Sequence, residues 1–153
     1  MGRDGAPDAE TRTLLEGVRA DGVSGNITDG ALAMRTDDLR EVVITAPDPA
    51  WLADFTRGLI ADHLCAGSHQ IESIRVIYAW RGEVHDAREA RVAVRTRITP
   101  VEAIIERVRA EHPYEVPGVV ALPIIAANPD YARWIRDQTA HPGTGQAIAG
   151  RIP

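Results

Sequence analysis

The stretch Glu111-His112-Pro113-Tyr114-Glu115-Val116-Pro117 separates an amphipathic segment before it from an apolar segment after it. Because proline disfavours the helical conformation in the residue before it, a helix that reaches this stretch must end at His112. The run that follows, Gly118-Val-Val-Ala-Leu-Pro-Ile-Ile-Ala-Ala127, contains the β-branched residues that favour a buried strand. Pro123 cannot donate a ladder hydrogen bond, which indicates an edge strand or a bulge. The stretch therefore predicts a helix, a turn and a strand, in that order.

The helix before this turn has a start signal of its own. Thr99 is placed to cap it, Pro100 suits the first helical position, and Glu102 stands where a capping box needs a carboxylate. Apolar residues at helical spacing predict its buried face: Val101, Ile104, Ile105 and Val108.

An earlier strand and helix precede these elements. Residues 41–46 predict a short strand, after which Asp48 and Pro49 suit the N-cap and the first position of a helix. That helix is expected to end near residues 65–67. Its predicted buried stripe comprises Leu52, Phe55, Leu59, Ile60 and Leu64.

Two long strands are predicted between the helices, over residues 69–80 and 84–96. They are joined at Arg81-Gly82-Glu83, where glycine permits the positive φ that a hairpin turn needs. The strands should therefore pair antiparallel.

A short terminal helix is predicted from Asn128-Pro129-Asp130 onwards. Its apolar stripe, Tyr131, Trp134 and Ile135, must be buried, since a helix this short is marginal alone. We expect it to dock near Pro113, Tyr114 and Pro123.

The element order β-α-β-β-α-β predicts an α+β, ferredoxin-like antiparallel sheet with both main helices on one face and a short C-terminal helix. Residues 41–139 would form this domain. The glycine- and aspartate-rich residues 1–40 are interpreted as a flexible N-terminal extension, and residues 140–153 as a C-terminal tail.

Composition limits the classes of function. The chain has 153 residues, 44% of them hydrophobic, which is enough for one core. Its net charge of −5 argues against a nucleic-acid partner, and no stretch is long enough to span a membrane. A single cysteine, Cys65, excludes an internal disulfide, so we expect the cytoplasm. No nucleophile elbow or phosphate-binding loop is present, and no enzymatic activity is expected.

The third predicted strand carries arginines on one side. Arg91, Arg95 and Arg97 alternate with apolar residues and fall on the sheet face that the helices leave bare. Two interpretations stay open: a solvated or interface-paired arginine ladder, or an anion-binding site. A bare sheet face must meet either solvent or another subunit, and the second alternative supports a trimer.

Six segments of this sequence, in order and in register, resemble the CutA family of divalent-cation tolerance proteins over residues 41–139. They are Val42-Val-Ile-Thr-Ala-Pro-Asp48, Tyr78-x-Trp80-x-Gly82, Arg95-Thr96, His112-Pro-Tyr-Glu-Val-Pro117, Ala121-Leu-Pro-Ile124 and Asn128-x-x-Tyr131-x-x-Trp134-Ile135. The resemblance implies a non-enzymatic homotrimer whose second and third strands extend into neighbouring subunits. It also implies tolerance or binding of copper and other divalent cations.

The copper ligands implied by this resemblance are replaced here. Cysteines of copper-binding relatives correspond to Ile44 and Gly67, and a histidine corresponds to Glu111. Soft Cu(I) prefers sulfur ligands, so copper binding should be weaker. A substitute cluster could form from residues close in sequence: His63, Cys65 and His69. The alternative is a buried cysteine flanked by surface histidines.

His112 allows two further interpretations. Beside Tyr114 and Glu115, in a loop between helix and strand, it could bind a metal or transfer protons, and its neighbours could bind a ligand. Alternatively, it caps the helix end. The leading hypothesis is therefore a trimer for divalent-cation tolerance, with a metal ion as the only expected cofactor. The alternatives are a PII-like trimer that senses a small molecule or anion in a cleft between subunits, and a structural scaffold.

Overall fold

The computed structural model describes residues 36–140, which form a four-stranded sheet with three helices. In chain order the elements are β1 (Leu39–Ala46), α1 (Pro49–Ala61), β2 (Gly67–Trp80), β3 (Glu83–Arg97), α2 (Val101–Glu111), β4 (Val119–Pro123) and α3 (Pro129–Gln138). The strands lie in the order β2-β3-β1-β4, with antiparallel neighbours. This confirms the ferredoxin-like α+β prediction. The predicted extension and tail lie outside the described residues, apart from residues 36–40 and Ala140, and β1 begins two residues inside that extension.

The main core lies between the two long helices and one face of the sheet. It contains alternate residues of β1 and β3, together with the inward faces of α1 and α2: Val42, Ile44, Ala46, Leu52, Phe55, Leu59, Cys65, Ala90, Val92, Val94, Ile104 and Val108. The predicted stripe of α1 is wrong at Ile60, which is 39% exposed. The helix ends at Ala61, and His63 then turns the chain with a φ of 57°.

The predicted capping box of α2 is wrong. Pro100 is the N-cap residue and already has a helical backbone, so Thr99 stands one position too early. No side chain caps this end of the helix; instead the Val101 N–H donates to the Ile98 carbonyl oxygen over 3.2 Å. Asn128 does cap α3 as predicted, since its side chain accepts from the Asp130 N–H.

The β2–β3 hairpin turns through Arg81 and Gly82, whose φ angles are 50° and 84°. Two consecutive positive φ angles in a two-residue loop define a type I′ turn, which confirms the predicted hairpin. On β3, only the Ala90–Arg97 part pairs with β1. Residues 83–89 lie beyond the end of β1 and pair with β2 alone. This two-stranded projection is called the ribbon below.

β4 is an edge strand, as Pro123 predicted, but it is not buried. Val120 and Leu122 are 55% and 46% exposed, and Ile125, beyond the strand, is 91% exposed. Val120 and Leu122 lie on the sheet face opposite Val119, which packs on the main core, and the helices do not cover that face.

α3 docks at only one end of the predicted position, beside Ile124, which follows Pro123. Its residues Ala132 and Ile135 form a second small core with Leu39 and Ala66. Pro113 and Tyr114 precede β4 and lie near the other end of β1. β4 runs antiparallel to β1 and carries the chain from Ile44 back to Arg40, so α3 begins far from them. The predicted contact of α3 with the His112–Pro117 turn is therefore wrong.

Candidate functional site

A cavity of about 550 Å³ lies on the sheet face that α1 and α2 leave uncovered, between the ribbon and the turn that precedes β4. Residues from β1, β2, β3 and the turn line it: Thr45, Val76, Tyr78, Trp80, Glu89, Pro113, Tyr114, Glu115, Val116 and Gly118. The walls therefore combine three aromatic rings with two carboxylates. Its volume lies within the range of small-molecule sites in proteins.

His112 fixes the turn that forms one wall. Its ring is 9% exposed, and Nε2 lies 2.8 Å from the main-chain oxygen of Thr45. Nδ1 accepts a hydrogen bond of 2.9 Å from the Tyr114 N–H. Because a carbonyl only accepts and an N–H only donates, the neutral Nε2–H tautomer satisfies both contacts. Both ring nitrogens thus contact main-chain groups. Neither is left free to bind a metal ion, as the predicted role of His112 requires.

Glu89 and Tyr114 meet inside the cavity. Glu89 is only 6% exposed. Partial desolvation of its hydroxyl, followed by a hydrogen bond to the Glu89 carboxylate, raises the pKa of Tyr114 to about 12. The Tyr114 hydroxyl therefore remains protonated at neutral pH and donates to Glu89.

The rim of the cavity carries a cation from the turn of the hairpin. The Arg81 guanidinium lies 5.5 Å from the centre of the Trp80 ring and 3.2 Å from a Glu115 carboxylate oxygen. Tyr78 stacks on His85 with ring centres 5.2 Å apart. Trp80 and Glu115 thus already contact a positive group at the rim.

The structure places the predicted arginines elsewhere. Arg95 and Arg91 lie 3.0 Å and 4.0 Å from the Glu41 carboxylate, and Arg97 donates to the Oγ1 and main-chain oxygen of Thr139. The arginines are therefore paired within the same subunit, whereas the ladder interpretation expected them to be solvated or paired across an interface. Of the predicted ligand-binding residues, Tyr114 and Glu115 line the cavity, and Arg91, Arg95 and Arg97 do not.

The substitute metal cluster is not assembled. Within residues 36–140, no three His, Cys, Asp or Glu side chains lie close enough to hold a metal ion. The His63 ring contacts the Gln138 carbonyl, and Cys65 is buried in the main core. His69, on β2, lies beside Arg95 of β3. Burial raises the pKa of the Cys65 thiol to about 12, which disfavours the thiolate that a metal needs.

Sequence reasoning identified only Tyr114 and Glu115 among the lining residues and missed the others, including Glu89, Tyr78 and Trp80. The alternation that assigned Arg91 to the uncovered face extends back to Glu89, so a signal was present. The proximity of Glu89 to Tyr114 depends on packing of the turn over the sheet. No local pattern encodes that contact.

Known proteins are similar in sequence to this domain. The family profile of the CutA1 divalent ion tolerance protein matches residues 41–138. A Xenopus laevis protein named Protein CutA homolog is 37% identical over 99 residues, which cover 65% of this chain and 66% of that protein. The Divalent-cation tolerance protein CutA of Thermus thermophilus is 36% identical over 98 residues, which cover 64% of this chain and 95% of that protein.

Solved structures agree with the sequence comparisons. The divalent cation tolerance protein Cut A1 from Thermus thermophilus superimposes with a TM-score of 0.64 at 34% identity, covering 67% of this chain and 99% of that chain. CutA1 from Oryza sativa gives a TM-score of 0.65 at 30% identity, covering 69% and 96%. In the described part of this chain, none of the helices is long and apolar enough to cross a membrane.

Proposed function

Because this chain belongs to the CutA1 divalent ion tolerance protein family, we propose that it contributes to tolerance of divalent cations, copper among them, as a non-enzymatic homotrimer in the cytoplasm. The observation that carries this proposal is the family match over residues 41–138, supported by an alignment that covers 95% of the Thermus thermophilus relative. The chain spans 66% of the Xenopus laevis relative, so the function is proposed for the family domain.

The residues present do not fit a thiolate copper site. Ile44 is fully buried in the main core and offers no donor atom. At Gly67 an added Cβ would lie 2.9 Å from the Trp134 ring, so even a small side chain meets an occupied position. Glu111, the third position, pairs with Arg107 over 3.0 Å. Any role in copper tolerance must therefore proceed without these ligands.

The ribbon supports the homotrimer. A two-stranded ribbon is marginal alone in water, and this one exposes large apolar side chains. Ile77 is 64% exposed and Val84 is 77% exposed, while β4 exposes Val120 and Leu122. Contact with neighbouring subunits would bury both surfaces.

Growth of a strain that lacks this gene, with and without complementation by the full chain, tests the proposal. We expect deletion to lower the copper concentration that halves growth, and complementation to restore it. Zinc and cobalt series would define the range of cations. Equal copper tolerance in the deleted and complemented strains would contradict the proposed function.

The cavity favours a second candidate, a trimer that senses a small molecule in a cleft between subunits. A pocket of about 550 Å³ lies on the uncovered face, and a trimer that packed through this face would bring its subunits together beside the pocket. Native mass spectrometry of protein purified without added metal separates the candidates, because it reports subunit number and retained ligand mass together. A retained organic mass favours sensing, and a retained metal favours direct cation binding.

A further inference from the structure

The chemistry of the cavity wall restricts its ligand. Two of its ten lining residues are carboxylates, Glu89 and Glu115, and none of the ten is arginine or lysine. An anion placed there would meet like charge, and the nearby cation, Arg81 at the rim, already pairs with Glu115. The anion class considered for the uncovered face therefore does not suit this cavity.

Glu89 is the deepest charged group of the wall. A buried carboxylate is unfavourable unless it is paired, and a carboxylate has about four acceptor positions. The Tyr114 hydroxyl supplies one donor. A positive ligand would supply the charge pairing that this hydroxyl cannot.

The aromatic rings of the wall, Tyr78, Trp80 and Tyr114, suit the same kind of ligand. The faces of such rings attract ammonium and guanidinium groups, and tryptophan does so most strongly. Arg81 demonstrates this at the rim, since its guanidinium lies over Trp80 and pairs with Glu115. Val76 and Val116 offer apolar contacts for an alkyl chain.

We propose that the cavity between the ribbon and the His112–Pro117 turn binds an organic ammonium ion, with Glu89 neutralising its charge and Trp80 and Tyr78 contacting it through their rings. This inference rests on the sensing candidate and names its ligand class. Divalent-cation tolerance does not depend on it.

Isothermal titration of the full chain, in its native oligomeric state, tests this with two probes of the same shape. Choline carries the quaternary ammonium group, and 3,3-dimethylbutan-1-ol replaces its nitrogen by carbon. We expect choline to bind about tenfold or more tightly than the neutral alcohol. Equal affinity for the two, or absence of choline binding because a neighbouring subunit fills the cavity, would overturn the proposal.

Two variants locate the site. Glu89→Gln retains an acceptor for Tyr114 while removing the charge, and should weaken choline binding about tenfold. Trp80→Leu alters a ring that is 37% exposed, so the fold should tolerate it even if Glu89→Gln does not fold. We expect a several-fold loss of choline affinity in Trp80→Leu.

Glu102→Gln is the matched control, since it makes the same charge change at an exposed position on α2, outside the cavity. Choline affinity should not change in this variant. Similar losses in Glu102→Gln and Glu89→Gln would indicate a general charge effect and contradict the site. If Glu89→Gln abolished binding of Cu²⁺ alone while choline binding persisted, the cavity would be a metal site instead. Copper tolerance of the wild-type strain is measured separately, so failure of choline binding leaves the proposed function intact.

Discussion

Nε2 of His112 and the main-chain oxygen of Thr45 lie 2.8 Å apart, which joins the turn after α2 to β1 across 67 residues of sequence. The Thr45 N–H also contacts the end of this turn, since it donates to the Gly118 oxygen over 3.3 Å. Trp51 meets the His112 ring edge-on at 5.2 Å. The histidine thus connects the sheet, α1 and the wall of the cavity.

Replacement of His112 by Ala should destabilise the fold by about 2–3 kcal/mol, because it leaves the partly buried Thr45 carbonyl and Tyr114 N–H without their partner. Chemical denaturation measures this free energy of unfolding. His85→Ala, which removes a histidine from the ribbon, should change it by less than about 0.5 kcal/mol. Equal effects of the two substitutions would show that the contacts of His112 do not stabilise the turn.

Asp38 and Arg136 form a two-pronged ion pair with N–O distances of 2.9 Å and 2.7 Å, which ties α3 to the start of β1. The hydrogen bond from Arg136 is the main cause that lowers the pKa of Asp38 below its ordinary value. A carboxylate with a depressed folded-state pKa stabilises the fold above its unfolded pKa. That stabilisation disappears as the pH falls through the folded pKa.

Asp38→Asn should therefore lower the free energy of unfolding at pH 7 by about 0.5–1 kcal/mol, a modest value because the pair is partly exposed. The difference from the wild type should disappear in acid, once Asp38 is protonated in the folded state as well. Urea unfolding at a series of pH values measures both. Asp54→Asn, which removes a surface carboxylate on α1, serves as the control and should show little effect at any pH. A deficit in Asp38→Asn that stayed constant throughout the acid range would exclude this ion pair as its cause.

Gly67 and Trp134 pack so closely that a Cβ on the glycine would lie 2.9 Å from the end of the indole ring. Trp134→Ala should destabilise the fold by about 2–3 kcal/mol, less than a fully buried tryptophan, because the indole is only partly buried. Gly67→Ala should cost about 1–2 kcal/mol by overpacking. Thermal and denaturant unfolding of both single variants measure these effects.

The double variant tests whether the two residues act on each other. Once the indole is absent, Gly67→Ala should cost less than about 0.5 kcal/mol, so the two effects should not add. Additive losses would mean that Gly67 is required for a reason other than contact with Trp134.

Gly82 has a φ of 84° at the tip of the hairpin, and a Cβ there would meet open space. Gly82→Ala should therefore destabilise the hairpin by about 1 kcal/mol through backbone strain alone. Glu83→Ala, at the next residue, is the control and should have little effect. Unfolding of the two variants side by side gives the comparison, and an unchanged stability in Gly82→Ala would refute the I′ turn.

Assembly is tested on the apolar surface of the ribbon. We expect light scattering to give a trimer at micromolar concentration, because burial of the ribbon's apolar side chains stabilises association. Val84→Glu should shift the population towards smaller species, since it places a charge in that interface. Glu72→Gln, an exposed change on β2, should not. A monomeric wild type would refute the homotrimer directly.

Local signals in the sequence predicted most elements of the fold. Proline after His112 ends α2, Gly82 permits the turn, and Asn128 caps α3, because each depends only on backbone geometry within a few residues. Periodicity in β3 separated the core face from the uncovered face for the same reason. The sequence alone also showed the resemblance to the CutA family over residues 41–139, and the family match over residues 41–138 confirms it.

Tertiary structure determined the contacts between residues on different helices and strands. The sequence brought His63, Cys65 and His69 within seven positions, yet strand and turn geometry directs them to three different surroundings. α3 docks at Leu39 because β4 runs antiparallel to β1, a direction that its own residues do not encode. Glu89 meets Tyr114 only because the His112 turn folds over the sheet. Contacts between residues far apart in sequence are fixed by the packing of the whole domain, so local patterns could not predict the cavity.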